Sequence, residues 1–507
     1  MSKISISKNI FANLVSNIWL MLLLIITTPL YVTFLGIEGY GLIGFYLSWL
    51  AIVGIIDIGI TAAAGREVAW LSARPDGKRN IPTLLRSIEV VYWGAILLIG
   101  LGILIGTFFF GQEWFQTKNI SREVVWGALM LMAIALVVQV PSGLYISGLM
   151  GLQRQVECSG LIAFFGTLRA LGAVFVLWLI SPDIRAFFLW QIMVSVLQTG
   201  VMRWSLWRKV RMESYPARFS TEVLGSIKMF AGGMVLITAS SIILTQADKL
   251  ILSRMVSLEV IGFYMLAWTV TSGLSRIATP LIQAFAPYFT MLVSSGDRDT
   301  LEKQVHISSQ LMSALILPPS ALIVVLSKPI LFSWTGNQDI AEGATSIMAI
   351  MVVGTAFSAC SYPALSILYS TKQLRPVITV NLVSLLVLLP LLMIMIVYFG
   401  VIGAASVWAF YGLILYVTYQ VYGLRNIPNA RLFSSTMRNF IAPGTVSFVV
   451  AFIAGYLLKG VEGRMACGIL LGSALIVGWL AVLLSCQKLR NIAIEKWKWK
   501  WKTNTSL

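Results

Sequence analysis

Charge is what this sequence has least of. Asp, Glu, Lys and Arg make up 11% of its 507 residues, whereas a soluble domain carries about 25%. Histidine occurs once, at His306, which argues against zinc chemistry and against a His-based triad. The four cysteines, Cys158, Cys360, Cys467 and Cys486, are scattered without CxxC spacing, so neither a disulfide framework nor a metal site is indicated. The P-loop signature (Gly, four residues, Gly, Lys, then Ser or Thr) is missing, which removes the P-loop ATPases. Long loops are missing too, so no soluble domain is expected between the apolar stretches. The first apolar run lacks a small-residue cleavage site and is too long for a cleavable signal, so it reads as a permanent helix. These absences leave no catalytic constellation, no metal and no cofactor to expect.

What is present is apolar sequence. Hydrophobic residues make 58% of the chain, in about fourteen stretches of about 20 residues, the length that crosses a bilayer core as a helix. Backbone hydrogen bonds must close within each span, and the Leu/Ile/Val runs call for helices rather than a barrel. The expected fold is therefore all-α: a polytopic membrane protein of about 14 transmembrane helices. The net charge of +17 would suggest nucleic acid in a soluble protein. Here Lys and Arg favour alternate segments by more than three to one, so the positive-inside rule explains the charge, with both termini cytoplasmic and no nucleic-acid partner.

The chain repeats itself. Glu38-Gly-Tyr-Gly41 and Glu259-Val-Ile-Gly262 lie 221 residues apart, as do Leu71–Asp76 and Leu292–Asp297. Pro141 and Pro363 keep nearly the same register. Six spans per copy is an even number, so both copies enter from the same side, as parallel repeats. The expected organisation is a six-helix lobe at 11–202, a cytoplasmic amphipathic linker at 203–227, a second six-helix lobe at 228–424, an additional helix pair at 441–485, and a basic Trp/Lys tail at 486–507. The tail, Lys496-Trp-Lys-Trp-Lys-Trp-Lys502, suits the headgroup layer of an anionic inner leaflet.

Ionisable groups inside spans are costly and are functional candidates by default. Arg169 lies near the middle of the fifth span and Arg276 similarly deep in the eighth. Lys249 sits beside Asp248 at the outer end of the seventh, where an ion pair competes with a binding role. Guanidinium forks suit phosphate oxygens, so Arg169, Arg276 and Lys249 are candidates for a cationic cavity that takes an acidic cargo. Asp57, and with it Asp248, are the candidates for an ion-coupling site. The bland readings are a buried pairing that fixes helix packing for the arginines and simple packing for Asp57. Asp297-Arg-Asp299 resembles a metal-nucleotide motif on paper, but beside Gly296 it reads as a turn and helix cap.

The motifs resemble those of a known group. Pro29-Leu-Tyr31, Gly36 with Tyr40-Gly41, and Asp57-Ile-Gly59 followed by Arg66 come first, then Gly151-Leu-Gln-Arg154. Ala247-Asp-Lys-Leu-Ile-Leu252, Ser257 with Gly262-Phe-Tyr264, and Phe399-Gly-Val-Ile-Gly-Ala-Ala405 complete the series. In order and spacing they are similar to the polysaccharide transporters of the multidrug/oligosaccharidyl-lipid/polysaccharide exporter superfamily, the group that includes O-antigen flippases. The resemblance implies a MATE-like pair of lobes around a central cavity in the bacterial cytoplasmic (inner) membrane. It implies flipping of an undecaprenyl-diphosphate-linked oligosaccharide by alternating access, with polysaccharide polymerase or ligase machinery as partners. A drug/cation antiporter of the same superfamily is the alternative, followed by a membrane polysaccharide polymerase or glycosyltransferase.

Overall fold

The structure is a computed structural model that describes residues 6–74, 77–211, 217–425, 427, 432–459, 461 and 463–486. The Trp/Lys tail lies outside the described residues. Among them every regular element is helical, apart from an isolated bridge between Gln116 and Ser257. Eleven helices are long and apolar enough to cross a membrane, so the expected fourteen spans do not separate one by one. One reason is that two helices run through two expected spans each: α1 (Ile6–Ser72) and α11 (Arg375–Leu424). Each breaks only at a glycine, Gly36 at φ 69° and Gly400 at φ 55°. Both angles lie in the left-handed region that favours glycine.

Contacts divide the chain into two compact units, Met1–Gly262 and Phe263–Leu507. The first holds α1, α2 (Ile81–Trp114), α3 (Arg122–Gln139), α4 (Ser142–Gly151), α5 (Gln155–Leu179), α6 (Ile184–Arg211) and α7 (Thr221–Met255). One of its cores gathers Ala63, Ala64 and Val68 of α1, Leu84, Ile88 and Tyr92 of α2, Leu144 and Leu149 of α4, and Met202, Leu206 and Val210 of α6. Those last three recur every fourth residue, one stripe of a helix. Burying that stripe keeps the chain helical to Arg211, so the first third of the expected 203–227 linker is the end of α6. The division falls after α7 because α7 packs along α1.

The division itself lies within α8 (Leu258–Ser295). The second unit continues with α9 (Arg298–Thr335), α10 (Gln338–Ser370), α11, a short α12 (Leu432–Thr436), α13 (Ala442–Leu458) and α14 (Arg464–Ser485). The terminal pair α13 and α14 packs on α9 as well as on each other. Asp297 caps α9, accepting the Thr300 amide at 3.0 Å. The Thr300 side chain, together with that amide, holds the exposed carboxyl below its ordinary range, and the cap reading of Asp297-Arg-Asp299 is the one the geometry supports.

Candidate functional site

Span 4 is discontinuous. α3 stops at Gln139 and α4 starts at Ser142 because Pro141 has no N–H to continue the ladder. Carbonyls released by such a break must find other donors inside a membrane. Thr199 Oγ1 donates to Val138 O at 2.8 Å and Ser142 Oγ to Gln139 O at 2.7 Å, while Val140 O, which accepts Gly143 N at 3.0 Å, also lies 3.2 Å from Tyr92 Oη. The matching Pro363 sits inside an unbroken α10, so the break belongs to one half only.

Two of the candidate charges flank this break. Arg169 on α5 donates one guanidinium nitrogen to Gln139 Oε1 and the other to Gln198 Oε1 at 2.6 Å. Tyr46, on the second arm of α1, also donates to Gln139 Oε1 at 2.6 Å. Every one of these acceptors is neutral, and among the described residues no carboxylate pairs with Arg169. Two of its five N–H donors are engaged, and the positive charge is not neutralised. On the other side, the Asp57 carboxylate accepts from Tyr92 Oη. It also lies against α4 so closely that a Cβ on Gly143 would come within 2.7 Å of Asp57 Oδ1.

The other candidates sit elsewhere. Arg276 on α8 is exposed, and among the described residues it has no hydrogen bond or ion pair. Lys249 on α7 is fully buried; its Nζ donates to both Asp248 oxygens at 3.0 Å and to Thr245 O at 2.6 Å. The Asp248–Lys249 pair thus answers its own charge. Within the first unit, no hydrogen bond or ion pair among the described residues joins Arg169 to Asp57.

Several polar groups escaped the sequence reading. Glu89 on α2, with a side chain 5% exposed, accepts Arg203 Nε at 2.6 Å, Tyr145 Oη at 2.7 Å and Arg86 at 3.1 Å. In the second unit, Asn439 lies in a π-helical turn (Met437–Ile441) and contacts His306, Gln310, Ser313 and Ser435. Neutral amides, hydroxyls and tyrosines give no spacing pattern, so only the fold could join them.

The two related segments at Glu38–Gly41 and Glu259–Gly262 carry a third arrangement. Buried Glu38 accepts the successive amides of Lys118, Asn119 and Ile120 at 2.9–3.2 Å. Its repeat partner Glu259 takes Lys118 Nζ at 2.7 Å, which holds that ammonium above its ordinary range. Beside them, a Cβ on Gly41 would meet Leu258 O at 2.9 Å, and one on Gly262 would meet Ile37 O at 2.2 Å. Residues 37 and 41 therefore touch 262 and 258 in turn. Glu38→Ala would leave three amides without acceptors, at about 1–3 kcal/mol for each one that water does not reach. The expected result is a clear drop in thermal unfolding temperature in detergent; an unchanged melting curve would show that solvent takes over the carboxylate's place.

Comparison with known proteins gives one coherent grouping. The family model described as polysaccharide biosynthesis protein matches residues 6–293, more than half of the chain. A second model, MatE, matches 233–394. A protein of Shigella flexneri named for O-antigen transport is 21% identical over 387 residues, covering 74% of this chain and 87% of its own. A solved structure of the lipid II flippase MurJ in an inward closed conformation has a TM-score of 0.71 at 13% identity, covering 96% of this chain and 99% of that one. An inward-facing multidrug resistance MATE family transporter follows at 0.62 and 13%, covering 84% and 99%. At that identity the structural likeness establishes the fold, which is MATE-like and all-helical.

Proposed function

The chain belongs to the polysaccharide biosynthesis protein family, and from that premise we propose that it flips an undecaprenyl-diphosphate-linked oligosaccharide across the bacterial inner membrane for surface polysaccharide assembly. The observation that carries this reading is the pair Arg169 and Arg276. Both are guanidinium groups deep in apolar helices, and neither has a carboxylate partner among the described residues. An unneutralised cation in a membrane span is costly unless an anion or water meets it. A diphosphate offers several oxygens to such forks. The names of the relatives, O-antigen transport and lipid II flipping, support the same cargo class, a lipid-linked glycan.

In this reading the protein is a transporter and not an enzyme. It has fourteen spans, counting the arms on either side of Gly36 and Gly400 separately and adding α7 to the eleven apolar helices, and both termini are cytoplasmic. The lobes at 11–202 and 228–424 alternate the access of a cationic cavity, Asp57 takes the coupling ion, and polymerase or ligase enzymes consume the flipped product. Asp57 is also what a drug/cation antiporter would need, which keeps that activity as the competing outcome of the test.

The test is lipid analysis of a strain lacking the protein, by mass spectrometry of extracted membranes beside a surface-polysaccharide assay. The expected result is accumulated lipid-linked repeat unit together with lost surface polymer. No accumulation with polymer intact would remove the flippase reading and favour antiport of another cargo.

A further inference from the structure

Tyr92 has one hydroxyl proton and two acceptors in front of it. Its Oη lies within hydrogen-bonding reach of Asp57 Oδ1 and 3.2 Å from Val140 O. Only one of them receives the proton at a time. While Asp57 is ionised it wins, because a charge-assisted bond is about twice as strong as a neutral one. When Asp57 takes up a proton from water, its new O–H donates to Tyr92 Oη, and the tyrosine proton turns to Val140 O. One proton is added, one hydrogen bond reverses, and one is gained.

Val140 is the residue at the break of span 4, between Gln139 and Pro141. Gln139 is the residue that accepts from both Arg169 and Tyr46. We propose that Tyr92 is a positioning residue that passes the protonation state of Asp57 to the break between α3 and α4, and through Gln139 to the guanidinium of Arg169. The proposal deepens the transport reading, on which its consequence for cargo rests: proton binding on one side of the break would reset the anion-binding side chain on the other.

The surroundings leave Tyr92 as the switch. Gly143 of α4 brings the backbone against the carboxylate without adding a charge. Tyr145 on α4 is held by Glu89, together with Arg86 and Arg203, one turn along α2. α3 has no titratable side chain after Glu123. From α5, Arg169 faces the glutamines, and on α7, which packs on α1, Asp248 and Lys249 pair with each other.

The experiment follows backbone hydrogen exchange over residues 138–146 of the full chain in nanodiscs, at mildly acidic and mildly alkaline pH, corrected for intrinsic exchange. The infrared carboxyl band of Asp57, identified by its loss in Asp57→Asn, is titrated alongside. The wild type is expected to exchange about fivefold more slowly around the break once Asp57 is protonated, the worth of one added hydrogen bond. Asp57→Asn, whose amide donates as the protonated acid does, should be slow at both pH values. Tyr92→Phe should lose the slowing while its Asp57 band still titrates. The same slowing in Tyr92→Phe, or none in the wild type across a titrating Asp57 band, overturns the proposal. These readouts use no cargo, so a strain that accumulates no lipid-linked glycan would remove the flippase reading and leave this result standing.

Discussion

Arg276→Ala is expected to abolish export while the protein inserts, folds and accumulates normally. Arg276 is exposed on α8 and engages no other described residue, so its removal unpairs nothing. A guanidinium that grips a phosphate group by two charge-assisted bonds contributes enough that losing it lowers transport by about a hundredfold or more. Arg276→Lys keeps the charge and loses the fork, so it should restore export only in part. Arg169→Ala is expected to behave differently. It also strips the partner from Gln198 and one of two partners from Gln139, so lost export should come with a stability cost of about 1–3 kcal/mol. The measurement is export of lipid-linked oligosaccharide at matched membrane abundance, with a detergent melting curve for each variant. Full export by Arg276→Ala would remove it from the cargo site.

That contrast marks where the sequence was legible. A deep arginine stands out in an apolar run, and so do Asp57 and the adjacent Asp248–Lys249. What answers each charge was legible only for the adjacent pair, because the long Lys249 side chain can reach back to the carboxylate beside it. Gln139 and Gln198 lie 30 and 29 residues from Arg169 on other helices, and Tyr92 lies 35 residues from Asp57. Neutral partners at such separations leave no periodic mark. The end of α6 was hidden for another reason. Arg203, Arg208, Lys209 and Arg211 dominate the eye, while Met202, Leu206 and Val210 carry the buried stripe that decides the structure.

Gly262→Val is the second substitution with a large expected effect, and it tests the close approach of Gly262 to Ile37. The added Cβ would lie 2.2 Å from Ile37 O and 2.9 Å from the Ile37 carbonyl carbon. Both are backbone atoms and cannot swing aside as a flexible side chain can. The reciprocal contact at Gly41 and Leu258 O is tight as well, so relief on one side tightens the other. Neither helix start can shift far, because the amides of 118–120 hold Glu38 and Leu258 N donates to Gln116 O at 2.8 Å. Overpacking of this kind costs about 1–3 kcal/mol. If this contact seals the outer end during alternating access, the cost falls on the sealed state alone. A reporter cysteine at Ile261, 1% exposed in the wild type, should then react with an impermeant maleimide from outside only when Gly262 is replaced. All four native cysteines are buried, so background labelling should be low. Transport should fall at least about tenfold, as a penalty of that size on a required state implies. Normal transport with an unreactive reporter would show that this contact closes despite the added side chain and needs no glycine at 262.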